Sequence, residues 1–434
     1  MLQTVKNAWK IPELRNKILF TLMIVILYRI GAVLPVPYVS AQQLSDIIST
    51  SQGSLFQYIN VLSGDAFSQA TLFALSVSPY ITSQIIMQLL AIAIPALERL
   101  SKDGEEGKRK INQISRYVTI GIAVVTALGY YMFMDRSGAI VAGANAFTAV
   151  VVITCYVAGS ALIMWMAETI NDHGIGNGVS IILFANILSS LPSFIISMFA
   201  QMFSGTWQGI VYGAVVIIIG LAMLAFIVFM SESERRLPVQ YAKKVVGRKM
   251  YGGQSTNLPI KVSMSGVMPI IFANAILGLP TTIAALLSTP KEGSFWDKFL
   301  GFFSYESPFY IILFIILIVA FSYFYIAISF NPVEVSNNLK KNGGFIPGIR
   351  PGKPTSDYIT KVLNKIILIG AIMLCAVAAL PLVINLITTK ALEFSLGSLA
   401  FGGSSIIIVV GVVIELVRAI EAEMTMRHYK GFLE

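Results

Sequence analysis

The side chains able to do covalent or metal chemistry in this 434-residue chain are few and scattered. His173 and His428 are far apart, and no metal-ligand spacing is present. Cys155 and Cys375 both sit inside apolar runs and read as reduced packing residues rather than a disulfide framework. Arg29, Glu168 and Glu415 lie near the ends of apolar runs, and no charge falls at the centre of one. An ion-coupled transporter usually keeps ionisable groups there. There is no P-loop, no HExxH, no carboxylate pair within an apolar run and no nucleophile–base pair. Gly174–Gly178 (GIGNG) is glycine-rich, but it opens an apolar helix, which argues against a phosphate cradle. The expectation is no enzyme, no metal, no cofactor and no small-molecule substrate.

The chemistry left is that of hydrocarbon against water. Ile81 and Ile85 are four apart and share a helix face. Val179 and Leu183 repeat the spacing, and Ile271 and Ile408 (or a neighbour of Ile408) offer further apolar side chains. Two readings stand: lipid contact or packing, and a hydrophobic constriction that blocks ions by staying dry.

The stretch that positions these residues is Leu62 to Ile94. Gly64, Asp65, Ser68 and Gln69 sit in its first third, Pro79 in its middle, and Gln84 and Gln88 follow. In lipid an unmade backbone hydrogen bond costs several kcal/mol, so such a segment needs protein or a watery cavity around it. It predicts a short half-polar helix over 61–73 and a span over 75–94. A broken helix of this kind lines a path or a site, or is a kinked packing helix.

The chain is 56% hydrophobic and 12% charged, against about 25% charged in soluble proteins, so it is an integral membrane protein. Ten runs approach the roughly 20 apolar residues a span needs: 18–34, 75–94, 117–134, 149–167, 179–199, 210–230, 267–287, 309–330, 366–386 and 404–420. Of 31 Lys and Arg, 26 fall in segments on one side and 4 on the other, with Arg29 near a span end. That asymmetry makes the rich side cytoplasmic and places both termini there. Residues 1–17 are basic and partly amphipathic, and read as a retained surface helix. Residues 421–434 form a cytoplasmic tail.

Two cytoplasmic loops, 231–265 and 331–365, are long and basic. The first holds strand-like pieces and a Gly-Gly turn; the second holds NGGFIPGIRPGKPTSDY. They read as solvated connectors facing anionic lipid, or as a docking surface for a cytoplasmic partner. Ten spans divide into halves at 18–201 and 202–420, and five-span halves must sit inverted. Val77-Ser78-Pro79-Tyr80-Ile81 and Val267-Met268-Pro269-Ile270-Ile271 occupy corresponding positions, as do the starts of spans 5 and 10. The fold expected is an all-α polytopic membrane protein, its ten transmembrane helices forming two inverted halves around a central pore.

Five stretches also resemble one family in order and spacing: SGDAFSQATLFALSVSPYITSQIIMQLL, NDHGIGNGVSII, ERRLPVQYAKK with YGGQSTNLPIKVSMSGVMPIIFA, NPVEVSNNLKKNGGFIPGIRPGKPT, and FGGSSIIIVVGVV. They resemble the bacterial form of the SecY/Sec61α family of protein-conducting channels. The resemblance implies passage of unfolded secretory chains across the plasma membrane and lateral release of hydrophobic segments into lipid. It implies that Leu62, Ser63, Gly64, Asp65, Ala66 and Phe67 belong to a plug. Ile81, Ile85, Val179, Leu183, Ile271 and Ile408 would form a pore ring. Thr82, Gln88 and Asn274 would line a lateral gate between spans 2/3 and 7/8. Arg350, with Arg235, Arg236, Lys243, Lys244, Arg248 and Lys249, would dock the SecA ATPase or the ribosome. The family also implies SecE-like and SecG-like membrane subunits, and signal peptides and preproteins as cargo. A secondary transporter with an inverted repeat and a lipid-binding scaffold are the competing readings.

Overall fold

The computed structural model describes residues 6, 8–50, 60, 63–141, 143, 145–203, 207–241, 244–246, 249–251, 255–287, 295–303, 307–392 and 397–430. The helices are α1 (Pro12–Gly31), α2 (Ala41–Thr50), α3 (Ser78–Ala93), α4 (Pro95–Lys102), α5 (Gly104–Arg136), α6 (Ala146–His173), α7 (Gly178–Met202) and α8 (Trp207–Glu232). Four strands follow: β1 (Glu234–Tyr241), β2 (Lys244–Val246), β3 (Lys249–Tyr251) and β4 (Ser255–Lys261). Then come α9 (Met268–Leu287), α10 (Phe295–Phe302), α11 (Pro308–Ser329), α12 (Pro332–Lys341), β5 (Gly344–Phe345), α13 (Lys353–Leu392) and α14 (Gly397–Lys430). Each predicted span overlaps one of these helices. Among the described residues, six are long and apolar enough to cross a bilayer, or seven if α3 and α4 count as one span bent by 107°.

Proline marks several of the helix starts. It occupies the first or second position of α1, α3, α4, α11 and α12. There its missing N–H costs nothing and its fixed φ favours the helix. Asn331 caps α12 by accepting from the Val333 and Glu334 amides at 3.1 and 3.4 Å.

The half-helix expected over 61–73 is not what folds. Val61 and Leu62 lie outside the described residues, and 64–77 runs as successive turns, with α3 starting at Ser78 rather than Leu75. Asp65, Ala70 and Ser76 have φ of 67°, 49° and 51°, in the left-handed region. The cause is side-chain competition for the backbone. Ser63 Oγ accepts from the Phe67 amide at 3.0 Å, Asn60 Oδ1 from the Ser68 amide at 2.8 Å, and Ser68 Oγ donates to the Asp65 carbonyl at 3.0 Å.

Helix packing repeats along the chain. In the set α1, α3, α5, α6 and α7, helix α6 packs on α1, α5 and α7; α3 packs on α5, and α1 on α7. In the set α8, α9, α11, α13 and α14, helix α13 packs on α8, α11 and α14; α9 packs on α11, and α8 on α14. The main contacts between sets are α7 with α8 and α14, and α5 with α9.

The two long basic loops are not separate. β1 pairs antiparallel with β4 on one side and with β5 on the other, giving a sheet of order β4-β1-β5 that unites them. The expectation of an all-α chain is corrected here: strands fill the first loop as its pattern suggested, and β5 comes from the second. Leu237, Val239 and Ile260 of the sheet pack on Ile326 of α11 and on Ile359, Leu363 and Ile366 of α13. α13 takes up the end of the second loop, since it begins at Lys353, well before Ile366.

At the chain ends, Ala8 and Leu14 pack against Ile175 after α6 and Ile420 of α14, and Lys17 forms an ion pair with Glu423. Leu14 is fully buried. Leu14→Ala is expected to cost about 2–4 kcal/mol, the usual range for a buried leucine. Denaturation in detergent would check this, and a loss below about 1 kcal/mol would mean that the segment is only loosely held.

Candidate functional site

Four helices that are distant in sequence converge on one small cavity of about 20 Å³, partly open to solvent. Ile81 of α3, Val179 and Leu183 of α7, Ile271 of α9 and Ile408 of α14 all line it. Val179, Leu183 and Ile408 are 5%, 4% and 1% exposed, so these side chains close on one another rather than on a wide channel. They belong to a single apolar cluster, against which Ile81 and Ile271 pack.

Ile85, the sixth residue expected in the ring, lies one turn along α3 from Ile81. Ile85 is buried but does not line the cavity; the α3 face there is Ile81, Gln84 and Gln88. At about 100° per residue, Gln84 and Gln88 fall to one side of Ile81 and Ile85 to the other, within one broad stripe of the helix. Val267, Met268, Phe272, Ser180 and Val412 also line the cavity and were not foreseen. Helical phase could have found Val412, four residues after Ile408. Gln84, Gln88 and Ser180 are its polar side chains, so the lining is apolar with one polar sector.

The other two residues expected at a lateral gate do not line this cavity. Asn274 is buried between α9 and α11, where its Oδ1 accepts from the Tyr310 hydroxyl at 3.4 Å. Thr82 is half-buried on α3 and does not line the cavity.

Beside the cavity sits the turn segment carrying Ser63, Gly64, Asp65, Ala66 and Phe67. Ser63, Ala66 and Phe67 are buried. Its carbonyls are held from outside: the Tyr130 hydroxyl donates to Phe67 O and the Tyr156 hydroxyl to Ala70 O. The Leu72 amide donates to Leu34 O at 2.9 Å, and the Ser76 hydroxyl accepts from Asn186 Nδ2 at 3.2 Å. Phe73 stacks on Tyr28 with centroids 5.3 Å apart. Two glycines make the seat. A Cβ at Gly159 would lie 2.0 Å from the Leu72 carbonyl oxygen, and one at Gly31 would lie 2.1 Å from the Phe73 ring. Gly64 has φ +62° and approaches the Asn186 backbone, Ser189 and Arg29.

Arg235 and Arg236 belong to β1 of the three-stranded sheet, and Arg350 to the turn between β5 and α13. Arg235, Arg236 and Arg350 are exposed, and Arg236 Nε bonds Glu234 at 2.6 Å. Lys244 and Lys249 lie on the β2–β3 ribbon, while Lys243 and Arg248 lie outside the described residues. The Arg350 carbonyl accepts from Thr355 Oγ1 at 2.8 Å, and the Gly352 carbonyl from Ser336 Oγ at 2.8 Å. These bonds fix the turn that presents Arg350. At the sheet's base, burial and the nearby Arg418 charge push the Lys261 amine below its usual range. No group of His, Cys, Asp and Glu among the described residues could hold a metal ion.

The comparisons agree with this geometry. The SecY family model matches residues 71–417. The chain is 40% identical to the protein translocase subunit SecY of Streptomyces galbus, over the full length of both. It is 42% identical to that of Streptomyces coelicolor and 40% to that of Mycobacterium tuberculosis, again over full lengths. Among solved structures, a protein-conducting channel superposes with TM-score 0.65 at 18% identity, covering 94% of this chain and 92% of that one. Sec61 from a canine ribosome–channel complex gives 0.61 at 17%, with the same coverage. At such identities the structural likeness speaks for the fold, and the full-length sequence matches speak for descent: the chain belongs to the SecY family.

Proposed function

We propose that the chain is the central subunit of a protein-conducting channel in the bacterial plasma membrane. Ten helices cross in two inverted halves, with both termini cytoplasmic. Unfolded secretory chains pass along the axis between the halves, and hydrophobic segments leave sideways between α3/α5 and α9/α11. The carrying observation is convergence: apolar side chains from α3, α7, α9 and α14 meet at one cavity. A polypeptide in transit exposes every backbone group, so it needs water along its path and few grips within it. An apolar constriction between watery funnels meets both needs and stays dry to ions when empty. A segment of about 20 apolar residues gains by moving to lipid once the wall opens. The repeated helix packing supports inverted halves, and the names of the relatives support translocation.

In this reading Ile81, Val179, Leu183, Ile271 and Ile408 form the ring, with Ile85 behind it. The turn segment from Ser63 is the plug, and Gln88 tunes the gate. Arg350 and the sheet around Arg235 and Arg236 dock the SecA ATPase or the ribosome. SecE-like and SecG-like subunits complete the complex. The channel does no covalent chemistry; its partners supply the energy.

Site-specific crosslinking tests the path. With Cys155 and Cys375 replaced, single cysteines go to Ile81, Val179, Ile271 or Ile408, and a secretory chain is stalled by the ATPase. Crosslinks are expected at these sites and not at the half-exposed Ile217 of α8. Equal labelling at Ile217, or none anywhere in an assembled complex, would overturn the pore. A second test concerns docking: Arg350→Glu is expected to weaken ATPase binding to channel vesicles by about tenfold, the scale of removing one charge-assisted hydrogen bond and reversing the charge. Unchanged affinity would remove Arg350 from the docking surface.

A further inference from the structure

We infer that Arg418 is a positioning residue that ties the ring helix α14 to the base of the cytoplasmic sheet, so that docking on the sheet is felt at the ring. This rests on the docking role proposed for the basic loops. Arg418 Nη2 donates to the Ser231 carbonyl at 3.0 Å and to Glu232 Oε1 at 3.1 Å. Ser231 and Glu232 are the last residues of α8, and only Ser233 separates them from β1. The sheet is fixed at this same point. The Val262 amide donates to the Ser233 carbonyl at 2.9 Å, and Glu234 pairs with Lys261 in the β1–β4 register. One guanidinium therefore reaches from α14 to the hinge between a membrane helix and the sheet.

On the membrane side, Arg418 lies ten residues beyond Ile408 on the same unbroken helix. At 1.5 Å per residue that is about 15 Å of rigid rod. Deeper in the interface α8 meets α14 through apolar side chains such as Ile227, Met230 and Ile407, which pack without directional bonds. Hydrocarbon contact tolerates sliding, whereas charge-assisted hydrogen bonds to a carbonyl and a carboxylate fix register. Lys261 faces the same cluster: its amine feels the charges of Arg418, Glu232 and Glu234. A displacement of β1 and β4 must move the α8 end, and Arg418 carries that movement to α14. The side chains of Arg418 and Glu232 are 35% and 57% exposed, so screening makes the effect graded rather than absolute.

The test separates docking from transport. The channel is reconstituted into vesicles with its small membrane subunits, and the SecA-type ATPase is added. Arg418→Gln and Glu232→Gln are expected to leave ATPase affinity within about twofold, while lowering the translocation rate at saturating ATPase by roughly two- to fivefold. The charge swap R418E/E232R is expected to recover at least half of that loss, which a merely destabilised protein would not do. Unchanged rates in both single variants, or a folded swap variant no better than the singles, would overturn the coupling. Arg350→Glu is run beside them. If it abolishes docking while Arg418→Gln changes nothing, the coupling alone fails. If neither variant affects docking or rate, the docking surface itself fails.

Discussion

Replacing Ile271 by asparagine is expected to make the resting channel leak ions at least tenfold faster. Ile271 lines the cavity together with Val179, Leu183 and Ile408, and the last three are nearly inaccessible to water. The barrier to an ion there is the cost of wetting a hydrocarbon constriction. An amide favours water over hydrocarbon by about 1–3 kcal/mol on protein scales. Each 1.4 kcal/mol removed from a barrier is about tenfold in rate. Val179→Asn should act in the same direction, and the near-isosteric Ile271→Leu should stay within about twofold. Ile85→Asn separates the two descriptions of α3. If the ring face were Ile81 with Ile85, it would leak like Ile271→Asn. With the face at Ile81, Gln84 and Gln88, it should lower stability more than it raises leak. Halide flux into vesicles reads the difference, and unchanged flux in both Ile271→Asn and Val179→Asn would remove the seal from this cavity.

What the sequence made legible follows from the kind of signal. Span positions depend on local apolarity, which lipid enforces strongly, so every predicted run overlaps a helix. The cavity residues were legible because Pro79 and Pro269 pin the starts of α3 and α9, which puts Ile81 and Ile271 at matching depths. Rotation about α3 was not legible: Ile85 and Gln84 are adjacent, and only the packed neighbours choose between them. The sequence also suggested a short half-polar helix over 61–73; within its described part, short polar side chains instead take the backbone amides. The union of the two basic loops by β1 and β5 was out of reach of local pattern. It joins Gln240 to Phe345 across about a hundred residues, and β5 is only two residues long.

Gly159→Ala is expected to unseat the turn segment proposed as the plug. The added Cβ would stand 2.0 Å from the Leu72 carbonyl oxygen, far inside contact distance. The obstacle is backbone, so no rotamer change relieves it. Leu72 cannot withdraw freely either, because its amide is bonded to Leu34 O and the next residue, Phe73, stacks on Tyr28 over Gly31. Overpacking of this kind costs about 1–3 kcal/mol. The turn segment can relieve it most readily by lifting, since strained φ at Ala70 and Ser76 already raises its energy on either side of Leu72. A lift should break the bonds from Tyr130 and Tyr156 and expose Ser63, which is fully buried at rest. In a cysteine-free background, a cysteine placed at Ser63 should then react with an impermeant maleimide about tenfold faster in Gly159→Ala, the kinetic equivalent of about 1.4 kcal/mol of seating energy. Ion leak should rise with it. Gly121→Ala on α5, where an added Cβ meets nothing within 4 Å, is the neutral control. Equal labelling and equal leak in a folded Gly159→Ala channel would show that the segment is not held by this seat, and that whatever closes the channel does so without it.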